Sequence, residues 1–224
     1  MVSSTQQPQM FSSSTVETTK IDFPVQKASR QVQQATLQPQ SQAQPLGRQK
    51  HIVVVTGPAG CGKTTVAEHV AMVAGIPCIE GDSYHPAANV EKMRSGTPLT
   101  DADRWDWLAT LRGCAVQRLC AGSAAVIVIC SALKREYRDI LRVASHHPNT
   151  SVHFLYLTAP LEIIAARVAV RKDHYMGEEM VQGQFDILEE PFTDETDTFC
   201  FDTSRMIEDV QADVAAQIRQ ILVS

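Results

Sequence analysis

The apolar pattern of this chain starts near residue 51 and then alternates between two periods. Ile52-Val53-Val54-Val55 is β-branched with no polar alternation, the signature of a strand buried on both faces of a parallel sheet. Val66, Ala67, Val70, Ala71 and Ala74 then recur at helical spacing, and Gly75 followed by Pro77 stops that helix. Cys78-Ile79 predicts a short strand ending at Glu80-Gly81-Asp82. Thr100 to about Ala121 is helical through Trp107, Leu108, Leu111, Ala115 and Leu119. A third strand is predicted at Ala125–Cys130, a helix over Leu133–Val143 and a fourth strand at Val152–Leu157. Pro160 suits the first turn of a further helix. Phe199-Cys200-Phe201 reads as a last short strand, and Ile207, Val210, Val214, Ile218 and Ile221 form the stripe of a closing helix. This alternation predicts an α/β fold with a central parallel sheet, helices on both faces and ligands at the carboxyl ends of the strands.

Before that pattern the chain is different in kind. Residues 1–49 are rich in Gln, Ser, Thr and Pro, with few large apolar side chains, and are expected to form a disordered tail ahead of a folded domain at 50–224. The tail has no long apolar run, and its first twenty residues hold Lys20 as their one basic group, which argues against a secretory or mitochondrial leader. No stretch reaches the roughly 18 apolar residues of a membrane span. A soluble protein of the cytoplasm with no membrane partner is expected.

Charge sharpens this. Of the formal net charge of −5, the segment through Lys50 holds +3 (Lys20, Lys27, Arg30, Arg48 and Lys50 against Glu17 and Asp22), leaving −8 on the remainder. So acidic a domain argues against a nucleic-acid partner, whereas a small phosphate ligand needs only a local basic pocket. The six cysteines show neither CxxC pairing nor the His spacing of a zinc site and are expected to be reduced thiols.

Between the first strand and first helix lies Gly57-Pro58-Ala59-Gly60-Cys61-Gly62-Lys63-Thr64, a glycine-rich loop ending in Gly-Lys-Thr. In that context Gly57, Gly60, Cys61 and Gly62 bend backbone N–H groups around an anion, and Thr64 and Thr65 open the helix. Lys63 can reach the terminal phosphates as a catalytic cation, and the Thr64 hydroxyl can ligate Mg²⁺. The chain is therefore expected to bind ATP with Mg²⁺. Many ATPase machines place an Asp after the strand facing the loop, but Cys130 is followed by Ser131-Ala132-Leu133-Lys134, and no Asn-Lys-x-Asp stretch is present to read guanine. The acids stand instead after the second strand. Glu80 is a second metal candidate, and Asp82 could accept the proton of a substrate hydroxyl, its alternative being a turn or helix cap.

Four segments are then specific enough to suggest a family. Gly81-Asp82-Ser83-Tyr84-His85-Pro86, Asn89-Val90-Glu91-Lys92-Met93, Gly96 to Arg104, and Cys130 to Asp139 together resemble the gluconokinase family, over nearly all of residues 51–204. Arg167, Arg171-Lys172 and His174 look like its lid, and Gln184-Phe185, Leu188 to Pro191 and Asp194-Glu195 like its following helix and loop. The resemblance implies a shikimate-kinase-like P-loop kinase, a three-layer α/β/α fold with a mobile basic lid. It also implies conversion of D-gluconate to 6-phospho-D-gluconate, feeding the pentose phosphate pathway, by a homodimer. Two departures, Gly183 and Asp106, fall outside the proposed chemistry.

The residues themselves allow such a substrate. A carboxylated polyol needs a cation at one end and hydrogen-bonding groups along its length. Arg104, Lys134 and Arg138 are the candidate cations, the last two spaced so that both would face the crevice, with Arg138 also catalytic; Arg135 and Arg142 read as a solvated basic face. Asp82 and His85 would contact hydroxyls, although His85 could equally serve backbone at a helix entry. Arg167 would bind nucleotide and Arg171 act in catalysis as part of a basic closing segment with Lys172, His174 and Gly177, the alternative being surface solubility. The resemblance puts part of the adenine site at Asp202. Two other functions fit the same chain: a nucleotide-binding regulatory pseudokinase whose tail recruits partners, and a kinase of another hydroxy acid such as shikimate.

Overall fold

A computed structural model of the chain describes residues 48–170 and 178–224. The expected tail lies almost wholly outside the described residues, as do Arg171, Lys172, His174 and Gly177 of the expected lid.

Five strands form one parallel sheet: β1 (Lys50–Thr56), β2 (Cys78–Glu80), β3 (Ala125–Ile129), β4 (Thr150–Thr158) and β5 (Thr198–Asp202), in the order β2-β3-β1-β4-β5. The central strand β1 is buried from His51 to Thr56 because its side chains feed two cores. Val53 and Val55 pack with Val66 and Val70 of α1 (Lys63–Ala74), Ile164 of α5 (Leu161–Ala169) and Val210, Val214 and Ile218 of α7 (Ile207–Val223). Ile52 and Val54 point the other way, onto Leu108 and Leu111 of α3 (Asp101–Cys120) and Tyr137 and Leu141 of α4 (Arg135–Arg142). The two-period pattern is thus a three-layer α/β/α arrangement.

The first strand, β4 and β5 outrun their predicted ends by one to a few residues, whereas α4 begins at Arg135 rather than Leu133. Lys134 is extended at the helix N-cap (φ −98°, ψ 153°) and Ala132 has φ +36°, so the strand-to-helix turn consumes the apolar Leu133. Two helices fell outside the periodicity reading. They are α2 (Ala87–Arg94), whose buried side chains are Asn89 and Met93 alone, and α6 (Glu178–Asp186). Among the described residues no helix is long and apolar enough to cross a membrane.

Candidate active site

The loop between β1 and α1 sits at the carboxyl edge of the sheet, and its glycines are there for cause. Gly57 has φ +135°, and a Cβ on it would lie 2.2 Å from the Leu157 carbonyl oxygen on β4. Gly60 and Gly62 also have left-handed φ, +84° and +96°. Gly62 is the N-cap of α1 with no side-chain cap, and the first turn carries no acid, so the leading N–H groups of the helix are open to an anion. Lys63 Nζ donates to the carbonyls of Gly57 and Pro58, both at 2.9 Å, which holds the ammonium over the loop. From α6, Gln184 Oε1 accepts the Ala59 N–H at 2.7 Å.

Beside the loop is a cavity of about 770 Å³ lined by Gly60, Cys61, Gly62 and Thr65, by Ile163, Ala166 and Arg167 of α5, and by Thr203 and Ile207. Its mostly apolar walls with a guanidinium at one side fit a nucleotide whose phosphates reach the loop. Arg167 donates through Nη2 to the Thr203 carbonyl at 2.7 Å, fixing that wall. Asp202 is exposed and off this lining, its carboxylate accepting the Ser204 N–H at 2.8 Å; the neighbouring Thr203 lines the cavity. Burial pushes the Cys61 thiol up, so this loop cysteine is a small packed side chain and not a reactive thiolate.

The acids after β2 are joined to the loop. Thr64 Oγ1 donates to Glu80 Oε2 at 3.3 Å, and Glu80 Oε1 accepts the Asp82 N–H at 3.4 Å, capping a 3₁₀ turn at Gly81–Tyr84. Burial holds the Glu80 carboxyl above its ordinary range. One hydroxyl and one carboxylate suit Mg²⁺ arriving with phosphates and water, and no cluster of three or more His, Cys, Asp or Glu able to hold a metal exists among the described residues. The Asp82 side chain is 65% exposed and open to a ligand.

His85 is not open in that way. Its side chain is 4% exposed, its ring stacks on Trp107 with centroids 4.1 Å apart, and Nε2 lies 3.9 Å from Asp82 Oδ1. Burial lowers its pKa, so the ring is neutral behind Asp82 and does not line the crevice as expected. Trp107 is anchored in turn, Nε1 donating to the Gly81 carbonyl at 2.8 Å.

The three candidate substrate cations part company. Arg138 is 1% exposed, with Nε and Nη2 donating to Glu195 at 2.7 and 2.6 Å and Nη1 to the carbonyls of Ala132, Leu133 and Glu189. That corrects its assignment to substrate and catalysis, because a guanidinium so committed has no face toward a ligand. Helical spacing placed it near Lys134, but Lys134 sits at the extended N-cap and points elsewhere. Arg142 is likewise no solvated residue: it pairs with Glu195 and Asp197 at 2.6 and 2.7 Å. Lys134 Nζ instead donates to both Asp101 oxygens at 2.9 and 2.8 Å. Arg104 Nη1 donates to the Leu99 carbonyl at 2.6 Å, leaving most of its fork for a ligand.

Gln184, Asp101 and Tyr137 escaped the reading of side-chain roles. All three lie inside segments that carry the family resemblance, and Tyr137 also lies one helical turn from Lys134, which was the available signal.

This geometry has relatives. A family model described as an AAA domain matches residues 52–193. The chain is 48% identical over 149 residues to a probable gluconokinase of Schizosaccharomyces pombe, covering 66% of this chain and 77% of that one. It is 40% identical to the thermoresistant gluconokinase of Escherichia coli, covering 76% and 94%. The structure of a gluconokinase from Sinorhizobium meliloti superposes with a TM-score of 0.68 at 36% identity, covering 78% of this chain and 95% of that one. With a phosphate loop, a strand-end acid and these relatives over most of their length, the chain belongs to the gluconokinase family.

Proposed function

We propose that the chain transfers the γ-phosphoryl group of ATP to the C6 hydroxyl of D-gluconate, yielding 6-phospho-D-gluconate and ADP. The observation that carries this reading is the link Thr64–Glu80–Asp82, in which one carboxylate bonds the phosphate-loop hydroxyl and the backbone of the exposed acid. An acceptor hydroxyl at Asp82 is thereby tied to the place where phosphate is held.

The residues divide the work. Asp82 accepts the proton of the attacking hydroxyl as its oxygen bonds to the γ-phosphorus and the bond to the ADP oxygen breaks. Lys63 exchanges its two loop carbonyls for phosphate oxygens. Thr64 and Glu80 would hold Mg²⁺ with the nucleotide, where it would supply charge neutralisation. Arg167 and the loop N–H groups orient the nucleotide, Arg171 adds positive charge at the transferring group, and Arg104 receives the substrate carboxylate with Lys134 beside it. The resemblance further supports a cytoplasmic homodimer, with residues 1–49 as an appended tail.

A substrate panel tests this. With ATP and Mg²⁺, kcat/KM for D-gluconate is expected to exceed that for a neutral hexitol by at least about a hundredfold, the loss of a charge-assisted carboxylate contact being worth roughly that, and to exceed that for shikimate, which keeps the carboxylate but carries its hydroxyls on a ring. Equal turnover on shikimate would overturn the substrate.

A further inference from the structure

Where α3 and α4 begin, three charged side chains, Asp101, Arg104 and Lys134, cluster around Tyr137. Tyr137 is 2% exposed, with the Trp105 ring edge-on to its ring at a centroid distance of 5.6 Å. Two cations lie within cation–π reach: the Arg104 guanidinium carbon at 5.5 Å and Lys134 Nζ at 5.6 Å from the ring centroid. The phenol oxygen joins the cluster on both sides. It accepts from Arg104 Nη1 at 3.4 Å and donates to Asp101 Oδ1, the same carboxylate that binds Lys134 with both oxygens.

We infer that Tyr137 is the positioning residue for the substrate's carboxylate end, setting Arg104 and Lys134 through its ring and its hydroxyl while making no contact with substrate itself. This rests on the gluconate reading above. The physical argument is one of like charges. Two cations brought to one anionic ligand repel each other in its absence, and long side chains lose rotamer freedom when fixed. Asp101 offsets one of the two charges, so Lys134 is neutralised as a pair. Arg104 retains donors beyond the Leu99 and Tyr137 contacts, and the planar fork of a guanidinium matches a carboxylate. Among the described residues the phenol is the group that bonds both halves: its lone pair faces Arg104 and its proton faces Asp101. A phenylalanine here keeps ring, packing and cation–π contacts and removes that connection alone.

The test is Tyr137→Phe in the full chain, with KM for gluconate, KM for ATP and kcat measured separately. Expected is a rise in gluconate KM of about tenfold, at the low end for a hydrogen bond to a charged group, with ATP KM and kcat within about twofold. In an Arg104→Ala background the same substitution is expected to raise gluconate KM by clearly less than in the parent, since Arg104 is one of the two cations the residue sets. An unchanged gluconate KM in Tyr137→Phe, or full additivity with Arg104→Ala, would overturn the inference. So would equal changes in the ATP and gluconate constants, which denote a general structural role. Absence of gluconate turnover in the unsubstituted protein would instead overturn the function on which the inference rests, and the control separates the two.

Discussion

Replacing Arg138 by Met separates the two roles that helical spacing and the folded structure assign to it. The structure makes Arg138 a buried cation paired with Glu195, whose side chain is 1% exposed and also pairs with Arg142. Although burial pushes the Glu195 carboxyl up, the Arg138 and Arg142 guanidiniums hold it down to about 2, against an ordinary 4.5. That difference corresponds to about 3 kcal/mol of folding stability at neutral pH. Removing one partner of a buried pair costs a similar ~3–5 kcal/mol, and Arg142 remains to limit the loss to the lower figure. For a domain of this size about 3 kcal/mol lowers Tm by roughly 6–12 °C. Thermal unfolding of Arg138→Met at pH 7.5 is the assay, with gluconate KM measured well below the new Tm. The expected result is the fall in Tm with gluconate KM and kcat within about twofold. An unaltered Tm with a gluconate KM raised tenfold or more would refute the reasoning and return Arg138 to the substrate pocket.

Three further outcomes follow from the same geometry. Asp82→Asn is expected to lower kcat by about a hundredfold or more while the ATP Kd from calorimetry stays within about threefold, because the loss falls on proton transfer and not on nucleotide binding. Gly57→Ala is expected to destabilise severely or abolish soluble expression, its Cβ meeting a backbone oxygen at 2.2 Å; a Tm within about 2 °C of the parent would contradict that close approach. His51 and His153 lie on neighbouring strands with Nδ1 and Nε2 3.4 Å apart, and burial lowers the pKa of both. The unfolded chain therefore binds more protons as pH falls below about 6.5, so their contribution is complete above that pH and is lost below it. Tm of the parent is expected to drop more between pH 7.5 and 5.5 than Tm of His153→Asn, and parallel curves would contradict the pair's role.

What the sequence made legible was decided by period and by loop chemistry. Strands such as Ile52–Val55 and Val126–Ile129 are apolar throughout because both faces are covered, and the glycines and Lys63 of the loop are needed where they stand. The α2 helix was illegible to periodicity because its small core contact is an Asn and a Met. Arg138 and His85, expected as ligand contacts, and Arg142, expected on a solvated face, each have instead a partner distant in sequence: Glu195 for Arg138, Glu195 and Asp197 for Arg142, Trp107 for His85. Nothing within a few residues of Arg138 announces an acid 57 positions away. Tyr137 was hidden differently, since a buried tyrosine on an apolar stripe is ordinary core until the cations around it are seen.

Where the phosphate goes decides the function of this chain. The full chain, incubated with ATP, Mg²⁺ and D-gluconate in the presence of 6-phosphogluconate dehydrogenase and NADP⁺, is predicted to generate NADPH at a rate proportional to its concentration. Lys63→Ala is predicted to generate none. Consumption of ATP without NADPH, or equal NADPH from Lys63→Ala, would contradict phosphoryl transfer to the C6 hydroxyl by this site.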